Sequence, residues 1–339
     1  MNRNLISTLL FSLLVLLTSA VTQAQDKTNY VLFLRDDGLG AVGYLERTGV
    51  FVQTQTLNNF APNWTKVVSA ENGVLFYRND GLGAVGQINR EGQFNTTYST
   101  ASFATNWTHI VNAGRHLLFV RNDGTAAVGY ISRTGQFVMT QSFPAGSFAP
   151  NWTHVVSARD GILFYRASDG LGAVGRIDVN GKFTTTQSFP AGSFATGWTK
   201  IVSTGKDLLF YRSDGLGAIG HINREGRFAT TQSFPVGSFA PGWTHIVDTG
   251  RYLLFYRASD AAGALGRIDG NGQFATVQSY DPGAFPTNFD KIVEVSGSLL
   301  FYHAAGYAPL YWFSFGGELN LTEGLYLIDN WKHIVKVSQ

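Results

Sequence analysis

The chain has 339 residues, a formal net charge of +2 and only 14% charged residues. This composition argues against a nucleic-acid partner, because binding a polyanion needs a clustered basic surface. Cysteine is absent, which excludes disulfides, while 39 glycines and 14% aromatic residues favour short strands joined by tight turns.

Residues 1–24 have the pattern of a secretory signal peptide. Arg3 is the positive residue, Leu5 to Leu17 form an apolar core, and Thr22-Gln23-Ala24 offers small residues for cleavage. The apolar core is short for a membrane span, and an uncleaved anchor is the alternative. We therefore predict a secreted protein, extracellular or periplasmic, with no membrane span after signal cleavage.

Two motifs then alternate along the chain. The first is an apolar run followed by Arg, an Asp-Gly turn and a second apolar run, as in LLFYRSDGLGAIGHI at 208–222. It occurs seven times, with a degenerate last copy. The second motif is Asn-Trp-Thr or Gly-Trp-Thr, and its aromatic residues are spaced by 43, 45, 46, 45, 46 and 42 residues. Such a period indicates one repeat architecture rather than several domains.

Each repeat predicts four short strands. In the fifth repeat they are Trp198–Ser203, Leu208–Arg212, Ala218–Ile222 and Arg227–Phe234, rich in β-branched and aromatic residues and separated by Gly, Asp and Asn. Four strands per repeat of this length are typical of a β-propeller blade. A β-solenoid is the alternative, although its coils are usually shorter.

The two ends of the repeat region complement each other. Tyr30 begins what is the second strand of a repeat, and the missing first strand is Trp331–Val337 at the end of the chain. Pairing them closes a ring and removes a free sheet edge. We predict an all-β fold over 25–339, a single seven-bladed β-propeller with four-stranded blades, closed by the C-terminal strand completing the first blade.

A Trp, an Arg and an Asp of each repeat are expected to meet on one rim of the disc. An aromatic face beside a carboxylate and a guanidinium suits a sugar ring and its hydroxyls. Blade packing with an internal Arg–Asp pair is the alternative. The predicted ligand-binding residues are Trp331, Arg35 and Asp37; Trp64, Arg78 and Asp80; Trp107, Arg121 and Asp123; Trp152, Arg166 and Asp169; Trp198, Arg212 and Asp214; and Trp243, Arg257 and Asp260. The seventh repeat has Phe289 and His303 and lacks the Asp, so it is predicted to be inactive.

A basic residue stands two positions after each Trp or its equivalent. The seven are Lys66, His109, His154, Lys200, His245, Lys291 and His333. On an innermost strand they would surround the central channel and attract an anion. Pairing with a neighbouring carboxylate is the alternative, and the sequence favours it.

Sequence signatures of catalysis are absent. The chain has no G-x-S-x-G, no Walker loop and no run of metal ligands, and each Asp-Gly turn has too few carboxylates for calcium. No position stands out as breaking the repeat. We therefore predict that the protein is not an enzyme and uses no cofactor or metal.

The repeat, with Gly-Trp-Thr entering one strand and LLFY forming the next, resembles the tachylectin type of β-propeller lectin repeat. The resemblance covers the repeat frame from Gln25 to Gln339, although that family has fewer blades and lacks the Arg-x-Asp-Gly turn. It implies a lectin whose blades each bind an N-acetylated sugar. We predict a secreted, multivalent carbohydrate-binding protein with glycans or glycoconjugates as partners. A protein-interaction scaffold and an enzyme with its site at the channel mouth are the alternatives.

Overall fold

The structure is a computed structural model that describes residues 29–46, 50–314, 316–326 and 330–337. Within these ranges it contains 28 β-strands and no helix, so none of the described segments is a helix able to cross a membrane. The predicted signal peptide, 1–24, lies outside the described residues.

The strands form seven antiparallel four-stranded sheets, the blades of the ring. Blade 1 contains β1 (Tyr30–Leu34), β2 (Gly40–Leu45), β3 (Phe51–Leu57) and the C-terminal β28 (His333–Val337). Blade 2 contains β4 (Lys66–Ala70), β5 (Gly73–Tyr77), β6 (Gly83–Ile88) and β7 (Phe94–Thr100). Blade 3 contains β8 (His109–Ala113), β9 (His116–Val120), β10 (Ala126–Ile131) and β11 (Phe137–Phe143). Blade 4 contains β12 (His154–Ala158), β13 (Gly161–Arg166), β14 (Leu171–Ile177) and β15 (Phe183–Phe189).

The remaining blades follow the same order. Blade 5 contains β16 (Lys200–Ser203), β17 (Asp207–Tyr211), β18 (Gly217–Ile222) and β19 (Phe228–Phe234). Blade 6 contains β20 (His245–Asp248), β21 (Leu253–Arg257), β22 (Ala262–Ile268) and β23 (Phe274–Tyr280). Blade 7 contains β24 (Lys291–Val295), β25 (Ser298–Tyr302), β26 (Tyr307–Phe313) and β27 (Leu319–Tyr326). The predicted strands of the fifth repeat are thus correct to within two residues, and Trp198 precedes its strand.

The ring closes through blade 1. Strand β28 pairs antiparallel with β1, so that Tyr30 lies opposite Val337 and Leu34 opposite His333. The strands β4, β8, β12, β16, β20, β24 and β28 each contact the next one around the ring, including β28 with β4. We call these seven the inner strands. The predicted seven-bladed propeller and its closure by the C-terminal strand are confirmed.

Burial follows the position of each strand within its blade. The second strand is covered on both faces by neighbouring blades, so all five residues of β5 are buried, which explains an apolar run without alternation. The outermost strand faces solvent, and β19 is mostly exposed or half-buried. The core is therefore a series of layers between blades rather than one central cluster.

A bulge shapes each blade between its third and fourth strands. In blade 5 the register shifts between Ile219 and Gly220, and a Cβ at Gly220 would lie 2.2 Å from the ring of Phe228. Glycine is required there because the aromatic ring occupies the side-chain position. Blades are also linked laterally, since Thr186 Oγ1 donates a hydrogen bond of 2.7 Å to the carbonyl of Gly226 in the next blade.

Candidate functional site

The predicted Arg and Asp meet as an ion pair within their own blade. In blade 5, Arg212 Nε donates to Asp214 Oδ1 at 2.9 Å and Nη2 donates to Oδ2 at 2.7 Å. Arg212 Nη1 also donates to the carbonyl of Thr196, at 3.1 Å, in the loop that leads to Trp198. The guanidinium therefore ties the Asp-Gly turn to the loop before Trp.

The same ion pair recurs in four other blades. It joins Arg35 to Asp37, Arg78 to Asp80, Arg166 to Asp169 and Arg257 to Asp260, with N–O distances of 2.6, 2.7, 2.6 and 2.7 Å. In blade 3 no such pair is found among the described residues: Asp123 accepts from the Thr125 amide at 2.9 Å, while the Arg121 guanidinium lies 5.9 Å from the Trp107 ring centre. The hydrogen-bonding Arg166 guanidinium lowers the pKa of Asp169 to about 2, so this carboxylate stays ionised.

The predicted Trp residues are packed in the core. Trp64, Trp107, Trp152, Trp198, Trp243 and Trp331 are 3 to 8% exposed, and Trp198 packs 5.7 Å from Phe210. In blade 7, Phe289 takes the same place and is 3% exposed. The Arg–Asp pair thus lies next to the loop before Trp, as in blade 5, whereas the Trp side chains themselves are buried. Ligand binding by these residues stays a prediction.

The inner strands surround the channel in register. His333 Nε2 lies 2.8 Å from the Trp64 carbonyl, which links the start of β28 to the start of β4. Asn112 Nδ2 donates to the Ser69 carbonyl at 2.8 Å, which links the fourth residues of β8 and β4. First residues therefore meet at one mouth of the channel and fourth residues meet at the other.

The first residues of the inner strands form what we call the basic ring. They are Lys66, His109, His154, Lys200, His245, Lys291 and His333. Burial lowers the pKa of Lys66 and Lys200, and it is also the main cause of the lowered pKa of the four histidines. The carboxylate partner favoured by the sequence is not found, because no described Asp or Glu lies within ion-pair distance of these three lysines.

The fourth residues form what we call the diversified mouth. Four inner strands carry Ser69, Asn112, Ser157 and Ser203 there, and the next three carry Asp248, Glu294 and Lys336. Lys336 Nζ donates to Glu294 Oε2 at 2.6 Å, and the Gly250 amide donates to Asp248 Oδ1 at 2.9 Å. Burial, together with the nearby Glu294 charge, raises the pKa of Asp248. Three consecutive blades thus break the repeat with charged groups.

Two pockets open at this end of the blades. A cavity of about 350 Å³ is lined by Ser157, Arg159, Arg176 and Ser203, and one of about 240 Å³ by Lys206, Asp207, Asp248 and Arg267, among others. The segment 203–207 borders both. Asp207 is 4% exposed and its Oδ1 lies 3.2 Å from His221 Nδ1. Neither Arg159 nor Arg176 has a carboxylate partner in the described part of the chain.

The diversified mouth was not predicted from the sequence, because the predicted sites were chosen among residues that recur in every repeat. Aligning the inner strands as KVVS, HIVN, HVVS, KIVS, HIVD, KIVE and HIVK would have found it, since only the last letter changes in chemical type. Among the described residues, no three His, Asp or Glu side chains are placed to hold a metal ion.

No protein-family model matches the chain, and no curated protein matches it by sequence. Among solved structures, one from Bacteroides fragilis, provisionally named a 6-phosphogluconolactonase, is 15% identical, with a TM-score of 0.65 over 93% of this chain and 99% of that one. A similarly named protein from Bacteroides uniformis is 17% identical, with a TM-score of 0.64 over 92% and 100% of the two chains. A periplasmic gluconolactonase from Pseudomonas aeruginosa is 12% identical, with a TM-score of 0.62 over 92% and 99%.

These comparisons correct two predictions. The lectin function and the statement that the protein is not an enzyme are wrong, because the three propellers just described bear the names of lactonases. Both predictions depended on an unbroken repeat, and the diversified mouth breaks it. At these sequence identities, the structural similarity establishes the fold alone. The resemblance to tachylectin repeats stays a prediction.

Proposed function

We propose that this protein is a hydrolase that opens a sugar lactone at the diversified mouth of its channel. The observation that carries the proposal is the placement of Asp248, Glu294 and Lys336 on three consecutive inner strands, with Asp248 lining the 240 Å³ cavity. A repeated ligand site needs identical blades, whereas catalysis needs different groups around one substrate. The names of the similar propellers supply the reaction class.

Asp248 is the proposed general base. Its raised pKa makes the ionised carboxylate a stronger proton acceptor, and the Gly250 amide holds one of its oxygens. Glu294 is held by Lys336 and by the Gly297 amide, which donates to Glu294 Oε1 at 2.8 Å. Asp248 is therefore the less tightly paired of the two carboxylates and the one available to a water molecule.

The proposed step is attack of water on the lactone carbonyl carbon. Asp248 takes a proton from the water as the new C–O bond forms, and the Lys336 ammonium stabilises the negative charge on the carbonyl oxygen. The ring C–O bond then breaks and its oxygen takes a proton, so the products are a hydroxyl and a carboxylate. One proton is released to solvent for each lactone opened.

Arg159 and Arg176 are the proposed contacts for an anionic group on the substrate. Both line the 350 Å³ cavity next to the channel mouth, and a guanidinium binds a phosphate through paired hydrogen bonds. The substrate class that fits best is therefore a sugar lactone that carries a phosphate ester. The export predicted from residues 1–24 agrees with the periplasmic description of one similar propeller.

The test is proton release from 6-phosphogluconolactone and from gluconolactone at mildly acidic pH, where uncatalysed opening is slow. We expect Asp248→Asn to lower kcat by roughly 10²- to 10⁴-fold, the usual contribution of a general base. The matched control is Asp178→Asn, because Asp178 caps an exposed turn through its Oδ1, which an Asn retains. Absence of turnover with both lactones, or full activity of Asp248→Asn, would reject the proposal.

A further inference from the structure

The three lysines of the basic ring are spread around the channel as evenly as seven strands allow. Lys66 begins β4, Lys200 begins β16 and Lys291 begins β24, so that three, two and two inner-strand steps separate them. All three are half-buried, and none has an ion-pair partner among the described residues. Keeping unpaired ammonium groups away from water costs stability.

At two of the four histidines between them, His245 and His109, the hydrogen-bond partners favour the charged ring. His245 Nε2 lies 3.2 Å from the Asp290 carbonyl, and its Nδ1 lies 3.0 Å from Thr244 Oγ1. That hydroxyl already donates its proton to the Tyr256 carbonyl at 3.0 Å. Both imidazole nitrogens therefore face oxygen acceptors, and only the doubly protonated ring donates to both.

Blade 3 repeats this arrangement. His109 Nδ1 lies 3.1 Å from Thr108 Oγ1, whose proton goes to the Val120 carbonyl at 2.9 Å, and His109 Nε2 lies 3.5 Å from the Thr153 carbonyl. The charged groups nearest to the histidines are the other ring members, together with Asp290 beside His245 and Lys332 and Asp36 beside His333. Burial opposes protonation, and a bound anion would reverse that balance.

We propose that the basic ring binds a phosphate group at this mouth of the channel, as a site distinct from the diversified mouth. A phosphate ester has three terminal oxygens, one for each of the three ammonium groups, with the ester oxygen pointing along the channel. Inorganic phosphate has the same chemistry. The site rests on the ring alone and does not depend on the lactonase proposal.

Calorimetric titration with inorganic phosphate tests the site. We expect a saturable site that each of Lys66→Gln, Lys200→Gln and Lys291→Gln weakens about tenfold, since each removes a charge-assisted hydrogen bond. Phosphate bound at Arg159 and Arg176 should be unaffected by these three substitutions. The matched control is Lys182→Gln, which removes the same charge from an exposed turn and should change nothing. Tighter binding of glycerol phosphate than of inorganic phosphate would identify an ester as the ligand, and the reverse would identify the free ion.

Imidazole ¹⁵N shifts locate the ion within the wild-type protein. Phosphate bound at the ring should move the signals of His109, His154, His245 and His333. Shifts confined to His116 and His221, at the other end of the blades, would place the ion at the diversified mouth instead. Sulfate, whose charge is constant over this range, should bind more tightly as the pH falls from 8 to 5. Unmoved ring histidines, or no saturable binding in the wild type, would overturn the proposal.

Thermal melting separates a binding role from a structural one. Without phosphate, Lys66→Gln and Lys200→Gln should raise the melting temperature, because each removes an unpaired, partly desolvated charge. With saturating phosphate the wild type should gain more than either variant. A lowered melting temperature without phosphate, together with wild-type phosphate affinity, would assign these lysines to packing instead.

Discussion

The two mouths of the channel are built from the same seven strands, yet they differ in how the repeat is used. At the basic ring every blade contributes Lys or His, so the chemistry is the same all around the axis. At the diversified mouth, four blades contribute Ser or Asn and three consecutive blades contribute Asp248, Glu294 and Lys336. Only two residues of each strand lie between one pattern and the other.

The difference indicates how a repeat protein divides its tasks. Positions that hold the same residue type in most blades suit a contact that recurs in most blades, such as the buried Trp or the Arg–Asp pair. Positions that diverge in neighbouring blades suit one asymmetric substrate, because a base and an oxyanion-binding group must differ. The strands are held in place by the uniform residues, and the divergent residues are carried on that rigid frame.

Deleting 331–339 should have the largest effect on both mouths, since it removes His333 from the basic ring and Lys336 from the diversified mouth. It also removes β28 and leaves β1 with an unpaired edge inside the ring. We expect aggregation or loss of cooperative unfolding, measured by light scattering and urea denaturation. A truncated chain with the unfolding midpoint of the full chain would show that closure contributes little.

Trp198→Ala should lower the stability of the fold and leave the proposed lactonase activity unchanged. Trp198 is 5% exposed and packs on Phe210, so its removal should cost about 3–5 kcal/mol of unfolding free energy. Trp198→Phe is the matched variant and should cost far less, because blade 7 already packs Phe289 there, 5.1 Å from Phe301. Below the melting temperature both variants should keep the wild-type kcat, and selective loss of activity would place Trp198 in a site.

The fold was predictable because the same pattern of strands and turns recurs seven times in the sequence. Each blade shows the same four strands, and the missing first strand of blade 1 is recognisable at the other end of the chain as WKHIVKV. The surroundings of Trp were harder to foresee. Trp198 precedes its strand, where exposure is normal, and it is buried both by Phe210 of its own blade and by a cluster that includes Leu163 of the neighbouring blade.

The candidate site was less predictable for the opposite reason. Asp248, Glu294 and Lys336 each occur once, so no spacing marks them, and each alone resembles an ordinary polar strand end. Their significance comes from adjacency around the ring, as in the 2.6 Å contact between residues 294 and 336. A constellation assembled from separate blades leaves no local motif, so a search for catalytic signatures along the sequence does not detect it.

Mild acid should change the contributions of the two mouths to the unfolding free energy in opposite directions. This effect should be smaller than that of the deletion or of Trp198→Ala. The ring histidines have folded pKa values below 6.5, so as the pH falls below 6.5 the unfolded chain takes up protons first and stability decreases. Asp248 has a folded pKa above 3.8, so its folded carboxyl takes up a proton first as the pH falls towards 3.8, and stability increases.

Unfolding free energies from urea titrations between about pH 4 and 8 should show that His245→Gln reduces the loss of stability in acid. Asp248→Asn should remove the compensating gain and raise stability at pH 7, because it deletes a desolvated charge next to Glu294. If both variants kept the wild-type slope of stability against pH, neither mouth would hold its charges in the way the structure indicates.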